Sequence, residues 1–118
     1  MKSFLFVLNN PPYDGLATQE TLDVILTVAA FDQPVSLLLL DDGVFQLKLH
    51  QSPEQGGLKN TNAIFQALKI YEVHSVFIEL ESLHERGLKL GDLSLPVIAI
   101  NRKDIAALMK KFQIIYGS

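Results

Sequence analysis

The sequence contains no cysteine among its 118 residues. That absence excludes disulfides, thiolate metal sites, thiol nucleophiles and carriage of persulfide sulfur by this chain itself. It agrees with a reducing compartment. Basic runs are missing too: ten Lys and Arg stand against thirteen Asp and Glu, a formal charge of −3. A domain that grips nucleic acid alone normally displays a basic patch. The paired basics Arg102-Lys103 and Lys110-Lys111 read instead as the solvated face of a helix. No apolar stretch reaches the ~18 residues of a membrane span. The opening run from Met1 to Leu8 is short and lacks a small-residue cleavage site before Asn9-Asn10-Pro11-Pro12. A soluble, cytoplasmic chain with no membrane contact is expected. Repeats, low-complexity tracts and interdomain linkers are also lacking, so residues 1–118 are expected to form one domain.

What is present is an alternation of strand-like and helix-like segments. Strands are expected from Lys2 to Leu8, Val35 to Leu40, His74 to Leu80, Pro96 to Ile100 and Gln113 to Tyr116. The second ends in four leucines, Leu37 to Leu40, the kind of continuous apolar run that is buried on both faces of a parallel sheet. It stops at Asp41-Asp42-Gly43, and a short helix or turn is expected from Gly43 to Leu49. The first long helix is expected from Thr18, as its N-cap, to Phe31, with Leu22, Ile25, Leu26 and Ala29 on one stripe. Val24 and Val28 lie outside that stripe and imply a second apolar side, open to a partner subunit. A mobile loop is expected from His50 to Asn60. After it comes a helix capped by Asn60 or Thr61, with Ile64, Phe65, Leu68 and Tyr71 at helical spacing. Ser82-Leu83-His84-Glu85 fits a capping box for a very short helix that ends before Gly87. A last helix is expected from Arg102 to Lys111, its apolar stripe being Ile105, Leu108, Met109 and Phe112. The alternation predicts an α/β fold: a three-layer α/β/α, Rossmann-like (flavodoxin-like) domain with a mostly parallel five-stranded sheet. The hydrophobic share, 48%, is above typical usage and hints at an oligomer.

Few residues point to chemistry. His50, His74 and His84 are widely separated and read as ordinary histidines. Glu79, Glu81, His84 and Glu85 cluster after the third strand and read as a solvated turn with capping roles rather than a cation site. There is no G-x-x-x-x-G-K-[ST], no G-x-G-x-x-G and no G-x-S-x-G. No cofactor, metal or catalytic residue is expected. In open α/β sheets ligands meet the carboxyl ends of the strands. A stand-alone flavodoxin-like protein binding a small ligand, or an enzyme, through Asp41, Asp42 and Glu79 is therefore an alternative reading.

Two strings are more specific. Asp42-Gly43-Val44-Phe45-Gln46-Leu47 follows the second strand, and Ser82-Leu83-x-Glu85-Arg86-Gly87-Leu88 follows the third. With the glycine-bearing segment at Gly15 and the helix expected from Ala63 to Tyr71, they make the chain resemble the DsrE/DsrF-like family, in particular its TusC-type (DsrF-like) branch. The resemblance covers nearly the whole chain. It implies a non-catalytic subunit of a sulfur-relay complex that passes persulfide sulfur toward 2-thiolation of the wobble uridine of certain tRNAs. It also implies TusB-like and TusD-like partners in a heterohexamer, a dimer of heterotrimers, with a homo-oligomer possible when the chain is isolated and no direct contact with nucleic acid. In that family the sulfur-carrying cysteine lies on the TusD-like subunit at the end of the third strand. The matching place here is Glu79, read as a strand-end acid facing water or, alternatively, as a contributor to packing or electrostatics at a subunit contact. Asp42, Gly43, Val44, Phe45, Leu47, Arg86 and Gly87 are expected as subunit-interface or motif residues, with Gly43 allowing a tight turn.

Overall fold

The computed structural model describes residues 3–9, 15–31, 33–47, 75–93 and 96–117. The expected loop from His50 to Asn60, the helix after it, His50 and His74, and the side chains of Leu22 and Leu47 lie outside what is described. Elements are numbered over the described residues. They are β1 (Phe4–Leu8), α1 (Gly15–Ala30), β2 (Val35–Leu39), a 3-10 helix (Asp41–Leu47), β3 (Ser75–Glu79) and α2 (Leu80–Glu85). A 3-10 turn (Leu90–Asp92), β4 (Ile98–Ile100), a 3-10 turn (Arg102–Asp104), α3 (Ile105–Met109) and β5 (Ile114–Gly117) complete them.

The five strands form one sheet in the order β4-β3-β2-β1-β5, and every pair is parallel. All five residues of β2 are buried, as a central strand covered on both faces requires. Alternation along β1 separates two cores. Phe6 and Leu8 pack with Ile25 and Ala29 of α1, and with Val44, Ile78 and Leu83. Leu5 and Val7 pack with Leu38, and with Ile105 and Leu108 of α3. Helices therefore cover both faces of the sheet. In chain order the strands step from β1 out to β4, and β5 then lies on the far side of β1; the general preference for right-handed crossovers puts connections running in these two directions on opposite faces.

Several expectations are corrected. Helix α1 begins at Gly15, so Thr18 lies inside it and is not its N-cap. Val24 and Val28 pack against the α1-side core. With buried Thr21, Ile25 and Ala29 they make the stripe i, i+3, i+4, i+7, i+8 of a single broad face, so that Val24 and Val28 do not form a second apolar side. Helix α2 begins at Leu80, with Glu79 at the N-cap position and no side-chain cap. Ser82 therefore sits within the helix, and the capping box does not form. The expected last helix is a 3-10 turn followed by five residues of α-helix.

The end of α2 does follow the sequence. Gly87 has φ +69°, the Gly87 N–H donates to His84 O at 3.1 Å, and the Leu88 N–H donates to Leu83 O at 2.9 Å. These are the two bonds of a Schellman motif. Leu83 and Leu88 are buried in the same core, which supplies the motif's hydrophobic contact.

Candidate functional site

The carboxyl edge of the sheet gathers the residues that the sequence singles out. At the end of β2 the Leu40 N–H donates to Leu8 O at 3.0 Å, and the Gly43 N–H donates to Leu40 O at 2.8 Å. The left-handed residue of this turn is Asp41, with φ 49°, a conformation that aspartate tolerates better than most side chains. Gly43 does something else. A Cβ built on it would stand 1.8 Å from the Leu8 carbonyl oxygen and 2.5 Å from its carbon. The glycine is needed for close approach of backbone to backbone, not for a positive φ.

That approach sends Val44 into the core, where it is fully buried. Phe45 is partly buried against the same core. Val44 therefore serves this chain's own packing and is not available to a neighbour. Gln46 is buried as well.

Glu79 ends β3 and does not face water: it is only 5% exposed. Its Oε1 accepts hydrogen bonds from Arg102 Nη2 at 2.8 Å and Nε at 3.1 Å, and from the Ser82 hydroxyl. Burial opposes a charge on this carboxyl. The hydrogen bonds from Arg102 and Ser82 and the positive charges of Arg102 and Arg86 outweigh it, and hold Glu79 below its ordinary value of 4.5. Arg102 also donates from Nη2 to Glu85 Oε1 at 3.0 Å. That hydrogen bond is the chief reason Glu85 is held low. Arg102 in turn is held firmly charged, first by its bond to Glu79 and then by its bond to Glu85. The Arg102 N–H reaches the Glu81 carboxylate at 2.9 and 3.1 Å. The cluster of Glu79, Glu81 and Glu85 is thus neither a solvated turn nor a set of helix caps. It is a cradle closed around one arginine, while His84 stays exposed.

Ser82 joins this cradle to β2. Its hydroxyl donates to Glu79 and accepts the Asp41 N–H at 2.9 Å. Beside it, Arg86 Nε pairs with Asp42 Oδ1 at 2.9 Å, and Arg86 Nη1 donates to Ser82 O at 3.2 Å. Carboxyl ends of three adjacent strands, β2, β3 and β4, are therefore bound together through α2. Sequence reasoning placed Asp42, Glu79 and Arg86 at this edge but missed Arg102 as the hub and Ser82 as the bridge. The available signal was topological: Arg102 comes two residues after β4, beside the strand that Glu79 ends. Removing the Ser82 hydroxyl deprives the part-buried Asp41 N–H of its acceptor and takes one donor from a buried carboxylate. Ser82→Ala is expected to lower the unfolding free energy by about 1–3 kcal/mol, read as a lower midpoint in urea. An unchanged midpoint would show that the bridge contributes nothing.

Chemically, the edge is a closed charge network. Asp42 and Glu79 are engaged by arginines, which weakens the reading of these acids as ligand-binding groups. Arg102, committed to carboxylates, is likewise removed from any basic surface for nucleic acid. No group of three or more His, Asp or Glu suited to a metal occurs among the described residues. None of their helices is long and apolar enough to cross a membrane.

Comparison with known proteins agrees with this architecture. A model of the DsrE/DsrF-like family matches residues 2–115. The intracellular sulfur oxidation protein DsrF of Allochromatium vinosum is 40% identical over 93 residues, covering 79% of this chain and 68% of that one. A protein TusC homolog of Pseudomonas aeruginosa is 35% identical over 111 residues, covering 94% of this chain and 93% of that one. Among solved structures, the ychN protein of E. coli superposes over 100% of both chains with a TM-score of 0.85 at 18% identity, a likeness of fold alone. With a family match spanning nearly every residue and relatives of this identity over most of its length, the chain belongs to the DsrE/DsrF-like family.

Proposed function

We propose that this chain is a non-catalytic structural subunit of a sulfur-relay complex that passes persulfide sulfur toward 2-thiolation of the tRNA wobble uridine. TusB-like and TusD-like subunits are its partners, in a dimer of heterotrimers in the cytoplasm. The observation that carries this reading is what stands at the end of β3. Family resemblance puts the sulfur-carrying cysteine of the TusD-like subunit at that place. Here it holds Glu79, buried and bound to Arg102 and Ser82, in a chain that has no cysteine at all. A persulfide needs a thiolate, and a carboxylate locked to an arginine leaves neither the atom nor the room for one. Relatives named TusC homolog and the sulfur oxidation protein DsrF support the choice of pathway.

The test is recovery of the tagged chain from its native host. Two small partners, one with a cysteine after its third strand, are expected in equal amounts with it. Deleting this chain is expected to reduce 2-thiouridine in tRNA, while the chain itself takes up no labelled sulfur. Recovery as a lone chain, or thiolation unchanged by the deletion, would overturn the reading.

A further inference from the structure

We propose that residues 96–104, which carry the edge strand β4, form a strap that lifts off β3 as a unit while the rest of the sheet stays folded, and that Arg102 is the latch that holds it closed. The strap has little apolar attachment of its own. From Pro96 to Asp104 no residue is buried. Val97 and Ile100 are partly buried against the two cores, and Ile98 is 50% exposed. The chain is anchored on either side of the strap instead: Leu93 is buried in the α1-side core and Ile105 in the α3-side core. Both anchors can stay seated while the segment between them moves. The ladder that holds β4 is short, pairing Phe77 with Ile98, Ile78 with Ala99 and Glu79 with Ile100. Central β2, by contrast, is buried throughout and paired along both edges.

What the strap lacks in burial it has in charge, at one residue. The ion pairs of Arg102 run to Glu79 at 2.8 Å and Glu85 at 3.0 Å, and its backbone N–H reaches Glu81 at 2.9 Å. All three acceptors lie on β3 and α2, outside the strap. Ser82 and Arg86 tie those elements on to Asp41 and Asp42. The body side of the latch is therefore fixed, and the strap side is a single residue. Charge-assisted hydrogen bonds depend on close geometry, so the first step of lifting breaks them. A segment with few buried apolar contacts opens at a lower free energy than core strands do. Lifting bares the outer edge of β3, whose unpaired backbone groups are a template for another strand. It also parts buried Glu79 from its arginine. The latch thus sets how often that edge is open. The device stands apart from the sulfur-relay reading, which neither requires it nor falls with it.

Native-state hydrogen exchange of the full chain, read amide by amide by NMR, tests this. The protected amides of the strap, the Arg102 N–H among them, are expected to exchange faster than those of β1 and β2. Their rates are expected to stay flat in low urea, because lifting exposes little surface, while the β1 and β2 rates climb. Two variants separate the strap from the whole chain. Arg102→Met is expected to speed strap exchange about tenfold or more, still without urea dependence. Phe6→Leu lies in β1, which two strands separate from β4. It is expected to speed exchange in β1 and β2 and to leave the strap rates as they are in the native chain. Strap amides that climb with urea as β1 and β2 do, that speed up with Phe6→Leu, or that ignore Arg102→Met would each overturn the proposal.

Discussion

Gly43→Ala is expected to cost about 3 kcal/mol or more, and so to lower Tm by roughly 10 °C or more in a chain of this size. The methyl group has no direction of escape. Its nearest atoms would be the Leu8 carbonyl oxygen and carbon at 1.8 and 2.5 Å. Both belong to the backbone of β1, which is bonded to β2 on one side and β5 on the other. Relief would have to come from lifting the 3-10 helix off the sheet. Val44 would leave the core, and the pairing of Arg86 with Asp42 would be disturbed. The other glycines supply the control. A Cβ on Gly91 meets nothing within 4 Å, and Gly91→Ala is expected to stay within about 0.5 kcal/mol of native. At Gly87 there is space, but φ is +69°, so Gly87→Ala is expected to lose roughly 1–2 kcal/mol. Thermal melts that ranked the three otherwise, above all a Gly43→Ala chain melting with the native one, would contradict the close-approach account.

The reason Gly43 matters was not legible in the sequence, although the residue itself was. An Asp-Asp-Gly string after a buried strand announces a turn, and the glycine is its obvious hinge. Which residue takes the left-handed conformation depends on how the chain must cross the end of β1, and that is a tertiary fact. It fell to Asp41. The same boundary explains Val44. A short apolar segment after a strand reads equally well as a patch on the surface or as a plug for the core, and only the placement of α2 and Leu8 decides for the plug. The parallel α/β alternation, helices on both faces and the central burial of β2 were legible, because period and apolar run length are local signals; strand order, a tertiary fact, was not read from the sequence. Helix α1 shows the intermediate case. Its existence was clear, and Ile25, Leu26 and Ala29 of its expected stripe do face the core, but the face is broader than that stripe, and Val24 and Val28, which belong to it, looked like a spare face. Charge partners were the least legible of all: Glu79 and Arg102 are 23 residues apart and meet only because β3 and β4 are neighbours.

That pair carries the second large effect: Arg102→Met is expected to destabilise the chain at neutral pH far more than at acid pH. In the native chain Glu79 and Glu85 are held below their ordinary value of 4.5. A carboxyl depressed by folding adds stability that is present above its unfolded value and is lost as pH falls through its folded value. The native chain should therefore gain stability as pH rises from about 3 toward 6 and then level off. Methionine keeps much of the length of the arginine stem but removes its charge and its donors. The bond from the Arg102 N–H to Glu81 belongs to the backbone and is retained. Glu79 would then be a buried carboxyl with the Ser82 hydroxyl as its remaining close donor. Desolvation would dominate and push it above its ordinary value. The sign of its contribution reverses: the variant loses stability as pH rises through the unfolded value, where the native chain gains it. Urea unfolding at about pH 3.5 and pH 7 should show a small difference at the lower pH and a large one at the higher. Adding Glu79→Gln to the variant should recover part of the loss at pH 7, since it removes the stranded charge and keeps the shape. An equal loss at both pH values, or no recovery in the double variant, would mean that Arg102 acts through packing alone and that the carboxyl edge is not held by charge.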